Sequence, residues 1–161
     1  GRFEMIIERD GELPVVVRRE MTSVPVDPEE LAGEEASIIW SMRQTEPGWT
    51  WRGPPLPTTK APLVGLTTTR DGRIWAQVAV PSEPIPEAEL AEPRGSPQSV
   101  LRHSMPTVYE VFTADGRFLG RVALPPRTRL IEADGNTVWG LARDENDMPA
   151  VGRYRVEPGF E

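Results

Sequence analysis

His103 is the only histidine in this chain, and there is no cysteine. Those two facts narrow the available chemistry. Without Cys there is no thiolate nucleophile, no disulfide and no Cys-ligated zinc or iron–sulfur site. One histidine cannot supply the several His ligands usual in zinc hydrolases. It could serve one Ser–His–Asp triad, with Ser96, Ser99 or Ser104 as the nearby hydroxyl. The nucleophile elbow Gly-x-Ser-x-Gly is absent, however, so the expectation for His103 is a solvated loop residue.

Acidic residues are the other candidates. The run Asp144, Glu145, Asn146, Asp147 suggests calcium. An EF-hand loop begun at Asp144 would need Gly at its sixth position and Glu at its twelfth, where this chain has Pro149 and Arg155. A polar hairpin turn is the expectation instead. Glu34/Glu35 and Glu87/Glu89 are spaced as acid–base partners could be, but nothing in the sequence buries or pairs them, and they read as solvated faces. The sequence therefore predicts no catalytic, cofactor-binding or metal-binding residue. Trp40, Trp49 and Trp51 lie outside any repeat and serve either contact with a partner or packing of their own segment. With His103 they are the candidate partner contacts.

The elements that must hold these residues are marked by Asp-Gly pairs. Asp10-Gly11, Asp71-Gly72, Asp115-Gly116 and Asp134-Gly135 each separate two β-prone stretches. Asp-Gly suits a two-residue hairpin turn with positive φ at both central residues. Two of the turns open near-copies of one strand: Thr69 to Pro81 (TRDGRIWAQVAVP) and Thr113 to Pro125 (TADGRFLGRVALP). Trp75 and Trp139 hold equivalent places after such turns, so both are expected to pack between repeated units. Successive Asp residues are 61, 44 and 19 apart, and the first two intervals exceed the last by 42 and 25. Those excesses match two stretches that break the pattern, 22–60 and 81–106. The skeleton is a meander of nine strands with a period near 19 and two insertions. In the first insertion, Asp27 with Pro28 and Glu30 predicts a capped helix over 27–43, with Leu31, Ile38, Ile39 and Met42 toward the body. The chain holds 18 prolines in 161 residues, about twice the usual ~5% share. They concentrate in the insertions, where stiff extended arms could lie along a neighbouring protein.

Bulk composition excludes several partners. The net charge of −7 argues against nucleic acid, whose phosphates are held by Lys and Arg. It argues equally against docking on anionic lipid, and no apolar run approaches the roughly 20 residues of a membrane helix. The chain starts at Gly1 with no visible signal peptide. The expectation is a removed leader or a piece of a longer chain.

The segments Thr68 to Trp75, Tyr109 to Gly120 and Leu130 to Gly140 resemble those of bacterial six-bladed β-propeller proteins of the NHL-like kind. The likeness runs over 62–156 and more loosely over 2–20. It implies an all-β fold of propeller blades, each an antiparallel four-stranded meander, forming an incomplete propeller of about two to three blades. On that reading 2–20 is the outer part of one blade, 62–124 a blade carrying the insertion 81–106, and 127–156 three strands of a last blade, whose outer strand in such families often comes from the N-terminus. Two ways to complete the ring stay open: further blades of the same protein, or exposed edges closed by another chain. A free-standing sandwich or open sheet of nine strands is the competing fold. The expected function is a non-catalytic propeller scaffold or interaction module whose stiff sheets present the insertions 22–60 and 81–106 to another protein or a small ligand, in a specific version an extrinsic, extracytoplasmic (periplasmic) subunit of a larger membrane-bound assembly such as an electron-transfer complex. The alternative is a lactonase- or esterase-type propeller hydrolase with a divalent metal in the central channel.

Overall fold

A computed structural model describes residues 1–87, 90, 102–143 and 148–160. The chain is mostly β with one helix, and all its sheets are antiparallel. The strands are β1 (Arg2–Ile7), β2 (Val15–Glu20), β3 (Leu63–Thr68), β4 (Ile74–Val78), β5 (Glu83–Pro84), β6 (His103–Ser104), β7 (Val108–Phe112), β8 (Phe118–Ala123), β9 (Arg129–Asp134), β10 (Thr137–Arg143) and β11 (Pro149–Arg155), with α1 (Pro28–Arg43) between β2 and β3. The described residues hold eleven strands rather than nine, because a short pair, β5 with β6, forms inside the second insertion. The Asp144–Asp147 turn and most of the 88–101 stretch, with Ser96, Ser99 and Glu89, lie outside the described residues. No helix among the described residues is long and apolar enough to cross a membrane.

The chain divides into two compact units. The first gathers residues 1–23, 61–80 and 106–161. It contains a β1–β2 hairpin, a four-stranded sheet in the order β3-β4-β7-β8, and a three-stranded sheet in the order β11-β10-β9. Alternation along β4 and β7 explains how they stack. Ile74, Ala76, Val78, Val108 and Phe112 point to one side of the four-stranded sheet and pack against Phe3, Met5 and Val17 of the hairpin. Trp75, Tyr109 and Val111 point to the other side and pack against Ala133 and Val138 of the three-stranded sheet. The four-stranded sheet is therefore covered on both faces. Trp75 and Trp139 belong to different sheets, and the sheets meet face to face rather than through strand pairing at their edges.

The turns correct one sequence expectation. Gly11, Gly72, Gly116 and Gly135 all have positive φ, between 56° and 86°, but their Asp partners do not. At Thr69–Arg73 and Thr113–Arg117 the chain closes a type I turn with a glycine bulge: the Gly N–H donates to the Thr carbonyl, and the Thr N–H donates to the Arg carbonyl. The extra loop residue removes the need for positive φ at Asp. Gly116 is the tightest of these positions. A Cβ there would lie 2.6 Å from Val17 Cγ2, whereas at Gly11 nothing lies within 4 Å. Gly116→Ala is expected to cost more than the roughly 1–2 kcal/mol of left-handed backbone strain, and Gly11→Ala no more than that. Urea midpoints of the two variants check the difference.

The second unit gathers residues 24–60 and 81–105. Asp27 caps α1 by accepting the Glu29 backbone N–H at 2.8 Å, and Pro28 opens the first turn. The helix has no fully buried residue: Leu31, Ile38 and Ile39, expected toward the body, are half-buried, and Met42 is exposed. Its apolar residues, including Ala32, Ala36 and Trp40, run around the axis instead of forming one stripe.

Candidate functional site

His103 is half-buried on β6, not free in a loop. The β5–β6 ladder, extended by the Ile85 N–H to the Arg102 carbonyl at 2.8 Å, fixes its backbone. The side chain meets the start of α1: donor atoms of Asp27, Glu29 and His103 lie within 4.8 Å of one another. Among the described residues this is the one group spaced as metal ligands are. Both carboxylates are exposed, and Asp27 already serves as the helix cap. Among the described residues no Ser–His–Asp triad forms, and Ser96 and Ser99 lie outside them. Ser104 follows His103 along the strand and so faces the opposite way.

A second polar cluster in the same unit escaped the sequence reading. Glu30, expected to complete a capping box, accepts from the Lys60 ammonium at 2.8 Å and the Ser82 hydroxyl at 2.7 Å, and Lys60 also contacts Ser82. Burial pushes the Glu30 pKa up, but the Lys60 and Ser82 hydrogen bonds with the Lys60 charge outweigh it and hold the carboxyl below its ordinary range. The cluster ties together Glu30, Lys60 and Ser82, which lie 22 to 52 residues apart in sequence.

Of the other candidates, Trp49 and Trp51 meet edge to face at 6.1 Å. The Trp51 indole N–H donates to the Gly53 and Pro54 carbonyls at 3.0 Å, and Arg43 holds the Trp49 carbonyl at 2.9 Å. Trp40 is half-buried on α1. Glu34 and Glu35 are exposed on the same helix, and Glu87 is exposed as well.

In the first unit the polar groups join sheets. Glu110 lies on β7 with its side chain only 1% exposed, held by Arg19 of the hairpin at 2.9 and 3.2 Å and by its cross-strand neighbour Arg121 at 2.9 Å. Burial raises its pKa, and the two guanidinium contacts more than reverse that, leaving it lowered. Asp71 forms a second joint. It accepts from the Thr69 hydroxyl at 2.7 Å within its own turn and from the Gly135 N–H at 2.9 Å in the β9–β10 turn, while Arg73 binds the Gly135 carbonyl. Glu132 repeats the theme by accepting the Arg70 N–H at 2.9 Å. Burial pushes Asp71 up, and the Thr69, Arg73 and Gly135 hydrogen bonds bring it down overall. A lowered folded-state pKa adds stability that is present above the unfolded pKa and lost as pH falls through the folded one. Asp71→Ala is expected to cost about 1–3 kcal/mol at neutral pH by orphaning the Gly135 N–H and the Thr69 hydroxyl. Its penalty should shrink in acid, where the wild type has lost the same contribution. Urea unfolding at neutral and acidic pH checks both statements.

No protein-family model, curated protein or solved structure matches this chain.

Proposed function

We propose that this chain is a non-catalytic scaffold or interaction module of the β-propeller type, its sheets acting as blades and its free surface engaging another protein. In the specific form we favour it is an extrinsic, extracytoplasmic subunit seated on a larger membrane-bound assembly, such as an electron-transfer complex. The observation that carries the reading is a repeated stacking station. Trp75 is fully buried where the four-stranded sheet faces the three-stranded one. Trp139, one sheet further along, points the other way from Val138 and is only half-buried. A stack with one more station than it has covered faces suits a surface that receives something.

Polar chemistry supports the non-catalytic side. Glu110, Asp71 and Glu30 each spend their carboxylates on structural hydrogen bonds. The Asp27, Glu29, His103 group belongs to the unit that carries α1, and Asp27 is already engaged as its cap. Affinity isolation of the natural protein under native conditions tests the reading, followed by mass determination of the complex. The expected result is a stoichiometric protein partner and no turnover. A free monomer that hydrolyses lactones or esters with calcium, and stops on chelation, overturns it in favour of the hydrolase.

A further inference from the structure

We infer that the open edge of β11 is a docking groove for an extended peptide segment of a partner protein, one whose side chains alternate between acidic and apolar. The inference deepens the scaffold reading and rests on it.

The two larger sheets differ by one strand. In the four-stranded sheet β7 sits third and is covered by β8, and all five of its residues are buried. In the three-stranded sheet the third strand is β11, which pairs only with β10 and is exposed over most of its length. Its second edge offers backbone N–H and C=O groups with no ladder partner among the described residues. Such an edge is a template for strand addition, in which main-chain bonds give affinity and alternate side chains give specificity.

Two hollows lie beside β11, one toward β8 and one over the β10–β11 pair. One, of about 560 Å³, lies between β8 and the C-terminal segment 156–160, and Tyr154 and Arg155 border it. The other, of about 420 Å³, is lined by Asn136, Thr137, Arg153, Tyr154 and Arg155. The register fixes what an added strand meets. Ala150, Gly152 and Tyr154 share the face of Val138, which is turned to the core, while Val151, Arg153 and Arg155 take the opposite face. On the core side the first hollow offers Leu119, Val122, Leu124 and Phe160. Every second residue of an added strand would cover that apolar wall, and those between would stand beside Arg153 and Arg155.

Charge selects the occupant. Arg153 is exposed and has no ion-pair partner among the described residues. Arg155 reaches Glu157 only at 3.6 Å with both side chains more than 70% exposed, a contact of little energy. The chain as a whole carries −7, so this basic edge is a local exception. A second copy pairing β11 with β11 would bring two such edges together, whereas carboxylates at alternate positions complement them.

The test is fluorescence anisotropy on the whole chain, using a labelled octapeptide of alternating Glu and Val, its Lys/Val counterpart and a scrambled Glu/Val sequence. Saturable binding of the alternating Glu/Val peptide alone is expected. Arg153→Glu with Arg155→Glu should weaken it by about tenfold or more and turn preference to the Lys/Val peptide. Circular dichroism checks that this exposed pair of substitutions leaves the fold intact. N-methylation of alternate peptide nitrogens should abolish binding in one of its two frames and spare the other, as a one-edge ladder requires. No binding, equal binding of the scrambled peptide, or concentration-dependent dimers that the Arg substitutions dissolve would each overturn the inference. A stoichiometric partner captured by a chain that binds no peptide leaves the scaffold reading standing and removes only this groove.

Discussion

Replacing Arg19 and Arg121 together by leucine is expected to cost about 3–5 kcal/mol at neutral pH, because it strands an ionised Glu110 inside the first unit. That is a large part of the ~5–15 kcal/mol that holds an ordinary domain together. The asymmetry comes from exposure: the Glu110 side chain is 1% exposed, against 34% for Arg19 and 53% for Arg121. Water can take back the arginines but cannot reach the carboxylate. Glu110→Gln is therefore expected to be the milder change, since the freed guanidiniums re-solvate and the amide oxygen still accepts. The pH dependence reverses between wild type and double variant. In the wild type the folded pKa of Glu110 is lowered, so its contribution is full above the unfolded pKa and disappears as pH falls through the folded one. In the double variant burial acts unopposed and the folded pKa rises above the unfolded value. Acid then relieves the penalty. Urea unfolding followed by Trp fluorescence at neutral and mildly acidic pH reads both slopes, and a double variant that weakens in acid as the wild type does would refute this account. Arg19 also lies 4.4 Å over the Phe118 ring, so Arg19→Lys, which keeps charge but not the stacked fork, should recover only part of the loss.

The strands and turns were readable because their causes are local. Positive φ in a tight turn favours glycine, and the four Asp-Gly pairs mark the four described glycines that adopt it. Alternation in β4 told which residues share a face. It could not tell which sheet covers which face, since Ile74, Ala76 and Val78 on one side and Trp75 on the other are all buried. Glu110 stands in the apolar run Val108 to Phe112, and a lone carboxylate there was a signal of a buried ion pair that went unread. Its partners are 11 and 91 residues away and no sequence period links them. The same distance effect hid the Asp27, Glu29, His103 meeting, which exists because β5 and β6 pair. The helix shows the opposite failure: a strong cap fixed where α1 begins, while its apolar residues did not fix a buried face.

Trp75→Ala and Trp139→Ala are expected to separate sharply, and that contrast tests the stacked-sheet reading most directly. Both tryptophans stand on the middle strands of their sheets, but only Trp75 is roofed. It is 0% exposed and meets Tyr109 at 5.6 Å and Phe160 at 6.1 Å, both edge to face. Removing it opens a cavity between two β layers whose backbones are tied together by Asp71, Arg73 and Glu132 and so cannot collapse freely. The expected loss is about 3–5 kcal/mol. Trp139 has Glu132 and Arg153 as cross-strand neighbours and is only half-buried. Its truncation should cost about 1 kcal/mol or less in the isolated chain. On the scaffold reading proposed above, the order of importance would invert in an assembly. A partner or further sheet seated on that face would use Trp139 as Trp75 is used within the chain, and interface tryptophans commonly carry about 2 kcal/mol or more of binding energy. Trp139→Ala should then leave the unfolding curve nearly unchanged while weakening the complex by about tenfold or more. Equal losses of chain stability from the two substitutions would mean that the outer face of the three-stranded sheet is already closed, and that the stack ends there.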